Sequence, residues 1–157
     1  MNKKFVLVSS TSAGRYIIEN SFLKKGNFEL AGIINIKLKD GIFKSNFDSF
    51  YDLIKKYKIK IHHSSNINSK KTISWLKKIN PNLIIQTGWS QKFGYEVLKL
   101  PKFGCIGMHP SPLPKGRGGA TMNWVIIKGI SKWGLTFFKM NEKYDAGSIL
   151  FQKKFFV

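Results

Sequence analysis

The residues with the clearest capacity for chemistry are one histidine and one aspartate. His109 is one of only three histidines in the chain, and it ends an apolar segment before the loop Pro110–Gly119. Prolines stiffen the first half of this loop, and glycines in the second half let a backbone approach a ligand closely. Asp145 follows in the segment 144–147. A carboxylate hydrogen-bonded to one imidazole nitrogen fixes the tautomer and leaves the other nitrogen to accept a proton. The pair therefore predicts a general base, His109, supported by Asp145.

The remaining histidines and the single cysteine favour structural roles. His62 and His63 end a short strand, and we expect no chemistry from them. Cys105 lies within an apolar strand segment with no neighbour that would lower its pKa, so we expect a small buried residue. One cysteine excludes an internal disulfide and a cysteine zinc site, and we predict no metal centre.

The familiar phosphate-binding motifs are absent from the sequence. The segment 9–14, Ser-Ser-Thr-Ser-Ala-Gly, lacks the G-x-G-x-x-G turn, and no G-x-x-x-x-G-K-[ST] loop occurs anywhere. A standard dinucleotide or nucleoside triphosphate site is therefore disfavoured. The loop after Ile85 is a better candidate for ligand binding, because ligands of parallel sheets bind beyond the carboxyl ends of the strands. Its candidate residues are Gln86, Gly88, Trp89, Ser90 and Gln91.

Strands and helices alternate along the chain and would bring these loops together. The predicted strands cover 5–8, 28–36, 59–62, 83–85, 104–109, 134–140 and 148–156. Helices are predicted from Ser12 to about Lys25, from Ser49 through Tyr57, around 73–79, near 95–98 and over 121–128. The segment 37–47 has no clear period and is predicted to be a loop. This alternation predicts an α/β fold with a mostly parallel sheet and helices on both faces.

Length and composition are those of one globular domain, predicted over residues 1–157. The chain has 157 residues, 43% of them hydrophobic, which excludes disorder as the main state. No apolar run reaches the roughly 18 residues of a membrane span and no secretory signal opens the chain, so we expect a cytoplasmic protein and no membrane partner.

The net charge of +19 is carried almost entirely by lysine, with Arg15 and Arg117 as the two arginines. The lysines are spread along the chain, which is compatible with a solvated surface. The alternative is a field that attracts an anionic substrate. Charge alone leaves both open.

The segment 104–147 resembles the formyltransferases that use 10-formyltetrahydrofolate. The matching features are a strand ending in His109, the following Pro-Ser-x-Leu-Pro, the basic Lys-Gly-Arg-Gly and Trp124 in the next helix. The segments 134–136 and 145–147 and Met140 extend the match. The resemblance covers essentially the whole chain. It implies a Rossmann-like catalytic domain that transfers a formyl group from 10-formyltetrahydrofolate to a primary amine.

By the same matching, His109 is the catalytic histidine and Asp145 its supporting aspartate. Folate is expected on Gln86, Gly88, Trp89 and Ser90, and the acceptor on Ser111, Lys115 and Arg117. The family usually has asparagine two residues before the histidine, where this chain has Gly107. The donor that holds the oxyanion is then expected from the Gly107 backbone or from Ser90, Gln91 or Asn123. A strand glycine needs no positive φ, so an asparagine side chain is expected to fit at Gly107.

A second departure from the family is length, because the chain stops at Val157 soon after the Asp-x-Gly turn. We expect a domain short at its carboxyl end, with apolar surface exposed and possible homodimerisation.

The motifs Gly-x-His-Pro-Ser and Lys-Gly-Arg-Gly-Gly most resemble those of the enzymes that formylate nucleotide-linked amino sugars. Methionyl-tRNA is the alternative acceptor, and a truncated, non-catalytic binding module of the same fold is the alternative of a different class.

Overall fold

A seven-stranded sheet with the order β3-β2-β1-β4-β5-β6-β7 organises the protein. The computed structural model describes residues 3–23, 26–42 and 44–157. The strands are β1 (Lys3–Ser9), β2 (Phe28–Asn35), β3 (Ile61–His63), β4 (Leu83–Thr87), β5 (Cys105–His109), β6 (Lys132–Lys139) and β7 (Ile149–Phe156). The helices are α1 (Ser12–Leu23), α2 (Leu38–Gly41), α3 (Tyr51–Tyr57), α4 (Lys70–Ile79), α5 (Tyr95–Lys99) and α6 (Thr121–Ile127).

The first five strands are parallel, and the last two join the sheet antiparallel. β1 pairs with β2 and β4, and β4 pairs with β5, all in the parallel sense. β6 then runs antiparallel to β5 and forms an antiparallel pair with β7. The prediction of a mostly parallel α/β sheet is therefore confirmed.

Two apolar clusters cover opposite faces of the parallel part of the sheet. Alternate residues of one strand point to opposite faces, so Val6 and Val8 of β1 enter one cluster while Phe5 and Leu7 enter the other. The first cluster is closed by α4 and α5, with side chains such as Leu76 and Val97. The second is closed by α1 and α3, with side chains that include Ile18, Phe50 and Leu53. Helices therefore lie on both faces, as predicted.

Local differences from the sequence prediction have identifiable causes. The segment 37–47, predicted as a loop, contains α2, a single helical turn too short to show a period. The N-cap position of α3 is Phe50, in the left-handed region at φ 57 and fully buried, while Ser49 Oγ accepts a 3.4 Å hydrogen bond from the nitrogen of Tyr51, the first helical residue. The predicted end of the first helix, Lys25, lies outside the described residues.

In the described ranges, no helix has the length and apolar character needed to cross a membrane. The single domain across 1–157 stays a prediction.

Candidate active site

His109 lies where the parallel and antiparallel parts of the sheet meet. It is the last residue of β5, which pairs with β4 on one side and with β6 on the other. Cys105, Gly107 and His109 are all buried and share one face of this strand, since side chains two residues apart point the same way. The imidazole therefore lies on the same face of the sheet as α5, which covers this face nearer the start of β5.

The ring nitrogens of His109 have different partners. Nε2 lies 2.7 Å from the Gly116 carbonyl oxygen. A carbonyl only accepts hydrogen bonds, so Nε2 carries the hydrogen in this contact. Nδ1 lies 3.7 Å from Asp145 Oδ1, which is beyond hydrogen-bonding distance. In the neutral ring, Nδ1 is the nitrogen with the free lone pair.

Asp145 is held in a strained turn beside the imidazole. Its φ of 46° is in the left-handed region, which non-glycine residues seldom occupy. Asp145 Oδ2 accepts a hydrogen bond of 2.9 Å from the Gly118 backbone nitrogen, which leaves Oδ1 towards His109. The loop 110–119 therefore fixes both members of the pair, through Gly116 for the histidine and Gly118 for the aspartate.

Hydrogen bonds within the loop and from β6 hold the loop in a shape that brings the Gly116 carbonyl to the His109 ring. Ser111 Oγ donates to the Lys115 carbonyl at 2.8 Å, and Trp133 Nε1 donates to the Pro110 carbonyl at 2.7 Å. Gly116 has a φ of +69°, and a Cβ there would lie 2.8 Å from the Trp133 ring. Glycine is therefore required at this position by both conformation and space.

A cavity of about 620 Å³ opens in front of His109 and Asp145. Its apolar residues come from the loop between β4 and α5, from β5, and from the end of β6 and the residue after it. They include Trp89, Phe93, Met108, Phe138 and Met140. Polar residues also line it, among them Ser90, Asn123 and Asn141. This is the usual composition of a small-molecule site, an apolar slot with a few orienting groups.

The sequence profile of the formyl transferase family matches residues 4–157. The chain belongs to the formyl transferase family.

Curated relatives match over part of their length. The bifunctional polymyxin resistance protein ArnA of Wigglesworthia glossinidia brevipalpis is 40% identical over 97 residues, which is 62% of this chain and 15% of that protein. Methionyl-tRNA formyltransferase of Clostridioides difficile is 34% identical over 126 residues, 79% of this chain and 41% of the relative. The chain therefore spans less than half the length of these relatives.

Solved structures of other formyl transferases share the fold at low sequence identity. Phosphoribosylglycinamide formyltransferase from Bacillus halodurans superimposes with a TM-score of 0.81 at 19% identity, covering 99% of this chain and 80% of that one. A formyltetrahydrofolate deformylase from Pseudomonas syringae gives a TM-score of 0.79 at 16% identity, with 100% and 52% covered. These likenesses confirm the Rossmann-like fold expected for this family.

The predicted folate loop lies along the cavity, but its side chains have distinct tasks. Gln86 is buried, and its Nε2 donates to the Trp89 carbonyl at 2.6 Å, which fixes the turn rather than facing a ligand. Gly88 has a φ of +63°, and a Cβ there would overlap Thr11. Trp89 is buried, and its Nε1 has no hydrogen-bond partner among the described residues.

The predicted oxyanion donors separate into engaged and free groups. Gln91 Oε1 accepts from the Ile67 nitrogen at 2.6 Å and Gln91 Nε2 donates to Asn66 Oδ1 at 3.1 Å, so its amide is already paired. Ser90 and Asn123 are exposed on the cavity wall. Within the described part of the chain the Asn123 side chain makes no hydrogen bond, which leaves it available.

An added side chain at Gly107 does not have the space that we expected. The φ of Gly107 is not positive, in line with the prediction, but a Cβ would lie 2.8 Å from Phe138 Cζ and 3.2 Å from Met140 Cγ. Phe138 is the cross-strand partner of Gly107, and its ring occupies the space that a side chain at residue 107 would need.

The predicted acceptor residues do not line this cavity. Ser111 is fully buried and its hydroxyl is used within the loop, which makes it a structural residue rather than the expected acceptor contact. Lys115 and Arg117 are exposed on the same loop, outside the cavity lining.

Sequence reasoning missed Phe138, Gly116 and Gly118 as site residues. Phe138 is one of several apolar residues in its strand, and only its register opposite Gly107 singles it out. The two glycines act through backbone atoms, so their residue type shows only that the loop can turn tightly.

Cys105 is buried beneath the site, and burial raises the pKa of its thiol to about 12. This agrees with the predicted structural role, since the thiolate is the nucleophilic form. No group of three or more histidine, cysteine or acidic residues that could hold a metal occurs within 3–23, 26–42 and 44–157.

Proposed function

We propose that this chain transfers a formyl group from 10-formyltetrahydrofolate to a primary amine carried by a nucleotide-linked sugar. The observation that carries the proposal is the pairing of His109 with Gly116 and Asp145 at the mouth of the cavity. Cytoplasmic location and homodimerisation stay predictions.

The cavity fits a folate by shape and by chemistry. Aromatic and thioether side chains along one wall favour a flat heteroaromatic ring. The unpartnered Trp89 Nε1 is a buried donor, and a buried donor without a partner is costly unless a ligand or water satisfies it. Trp89 also lines the cavity, so its indole would contribute to the wall against which the folate ring binds. The folate supplies the formyl carbon to the acceptor when bound.

His109 would take the proton that the amine loses on attacking the formyl carbon. With Nε2–H donating to the Gly116 carbonyl, the lone pair of Nδ1 is the basic site. Protonation at Nδ1 places the new positive charge 3.7 Å from Asp145 Oδ1, which stabilises the imidazolium by charge. His109 can then return the proton to the leaving nitrogen, so the ring is unchanged after one turnover.

The role of Asp145 therefore differs from the one expected from sequence. The Gly116 carbonyl fixes the tautomer, and Asp145 serves as the electrostatic partner of the charged ring. The side chain with a free amide on the cavity wall, Asn123, is our candidate donor to the oxygen that becomes negative during transfer.

Two other functions have specific support. Methionyl-tRNA is an alternative acceptor because several matching relatives carry that name and this chain has a net charge of +19. A non-catalytic folate-binding module is the second, because Gly107 has no side-chain donor and the apolar ring of Phe138 lies against it.

One assay separates these functions. Purified chain is incubated with 10-formyltetrahydrofolate and, in separate reactions, a nucleotide-linked amino sugar, methionyl-tRNA or buffer, and tetrahydrofolate and formylated product are measured. We expect product with the amino sugar and none with His109→Asn. Product only with methionyl-tRNA overturns the acceptor assignment, and formate release in buffer indicates hydrolysis. Folate binding without turnover in any reaction supports the binding module.

A further inference from the structure

The ring of Phe138 lies between the strand that carries His109 and the turn that carries Asp145. On one side, a Cβ at Gly107 would approach Phe138 Cζ and Cε1 to 2.8 and 2.9 Å. On the other side, a Cβ at Gly147 would lie 3.4 Å from Phe138 Cδ2. The ring therefore lies beside both residues, and its close packing on β5 is possible because residue 107 is a glycine.

Each of these two glycines lies two residues along the chain from one member of the catalytic pair. Gly107 precedes His109 by two residues on the same face of β5, and Gly147 follows Asp145 by two residues. The Phe138 ring is therefore close to both segments that carry the pair. The pair itself is separated by 3.7 Å between Nδ1 and Oδ1.

The surroundings give Phe138 little freedom to move. Its side chain is 4% exposed and its strand is paired on both sides, with β5 and with β7. Met140, two residues further along, also approaches Gly107 and continues the same apolar floor of the cavity. A Cβ at Gly147 would in addition overlap the Lys139 carbonyl, so the backbone of the turn packs directly on the end of β6 at this residue.

We propose that Phe138 is a positioning residue that sets the distance between His109 and Asp145. This inference rests on the proposed formyl transfer, but it makes a separate claim about the resting protein. Phe138 touches no reacting atom in this proposal; it acts through the two backbones that it separates.

The first test compares Phe138→Leu with a matched control on the same strand. Phe137 is adjacent, points to the other face of β6 and is half-buried, so Phe137→Leu removes the same atoms away from the pair. Because the chain has three histidines, the ring nitrogens of His109 can be assigned by NMR. We expect Phe138→Leu to change the His109 Nδ1 and Nε2 signals and Phe137→Leu to leave them unchanged.

Activity supplies the second measurement. A misplacement of about 1 Å can cost about 10²-fold in rate, so we expect Phe138→Leu to lower kcat by at least about tenfold with a smaller change in KM. Phe138→Met, which keeps more of the volume, should recover part of the rate and of the His109 signals. It also provides the test if Phe138→Leu does not fold.

The results separate the two proposals. Unchanged His109 signals in both Phe138 variants overturn the positioning role, whatever the activity. Changed signals in a protein that transfers no formyl group, before or after mutation, support the positioning role and overturn the proposed function. Equal effects of Phe137→Leu and Phe138→Leu on the His109 signals also overturn it, since the control does not contact Gly107.

Discussion

The two edges of the sheet are built in opposite ways. Beside the half-buried edge strand β3, the parallel strands β2, β1 and β4 are largely buried, between α4 and α5 on one side and α1 and α3 on the other. At the other edge β7 is antiparallel and exposed along nearly its whole length, with Leu150, Phe151 and Phe156 each more than half exposed. One part of the molecule supplies the core, and the other offers surface.

His109 stands at the boundary between these two parts, and this placement explains what each contributes. β5 is held in place by its pairing with β4, while the loop after β5 brings Gly116 to the His109 ring and the β6–β7 turn brings Asp145. Rigid strands hold the base, and irregular backbone supplies its partners. The predictions below test this division, starting with the largest expected effect.

Replacing the histidine at the boundary should remove activity without removing the fold. We expect His109→Asn to lower formyl transfer by about 10²–10⁴-fold, the usual contribution of a general base. The control is His63→Asn. His63 also ends a strand, β3, but it is exposed and lies away from the cavity. The measurement is the rate of tetrahydrofolate formation, with circular dichroism to check folding. Equal rates for the two variants would remove His109 from the mechanism.

Stability should depend on the covered part far more than on the open edge. Leu7 is fully buried in β1, so Leu7→Ala should cost about 2–5 kcal/mol of unfolding free energy through lost contacts and a cavity. Phe151 on β7 is 56% exposed, and Phe151→Ala should cost less than about 1 kcal/mol. Urea denaturation of both variants measures the difference. Comparable losses would show that β7 belongs to the core of the chain in solution.

Adding a side chain at Gly107, in the strand between the two parts of the sheet, should lower the stability of the fold. Gly107→Asn forces the Phe138 ring and Met140 to move, and overpacking of this kind costs about 1–3 kcal/mol. Gly119→Asn is the stability control, since nothing lies within 4 Å of a Cβ there and its φ is not positive. Thermal unfolding should show the loss only in the first variant. A gain of about 10²–10³-fold in transfer by Gly107→Asn would instead show that the site lacks an oxyanion donor.

The smallest expected effect is a pH dependence of stability that comes from His62 in β3. Burial, followed by the nearby charges of Lys71 and His63, lowers the pKa of His62 below its ordinary 6.5. The unfolded chain therefore binds this proton more readily than the folded one, so stability is complete above pH 6.5 and decreases as the pH falls below it. Urea midpoints at about pH 7.5 and about pH 5.5 should differ less in His62→Gln than in the parent chain. An identical difference in both proteins would show that His62 does not contribute, and His63→Gln controls for the loss of a histidine.

Sequence predicted the parts of the fold that depend on local pattern. Continuous apolar runs such as 5–8 and 83–85 located buried strands, and their alternation with helices gave the parallel sheet. The prolines and glycines after His109 correctly marked an irregular loop at a strand end. These features follow from residue type within a few positions.

What sequence could not supply was contact between residues that are distant along the chain. The pairing of Gly107 with Phe138 depends on strand register, and the contact from Gly116 to His109 depends on how the loop winds. Ser111 and Gln91 looked available by type, yet their polar atoms are used by the loop and by Ile67. Polar residues at a loop are candidates until their hydrogen bonds are known.

The pairing of β1 with β4 has a consequence for how fast the chain folds. Lys4 and Asn82, which meet beside this pair, are separated by 78 residues, so a long stretch of chain must be closed before the central strands meet. The β6–β7 hairpin closes a short loop and can form early, whereas long-range parallel pairing is intrinsically slow. His109 acquires its final surroundings only after both events, since its strand bonds to β4 on one side and β6 on the other. We therefore expect catalytic competence to appear at the end of refolding, after most of the secondary structure has formed.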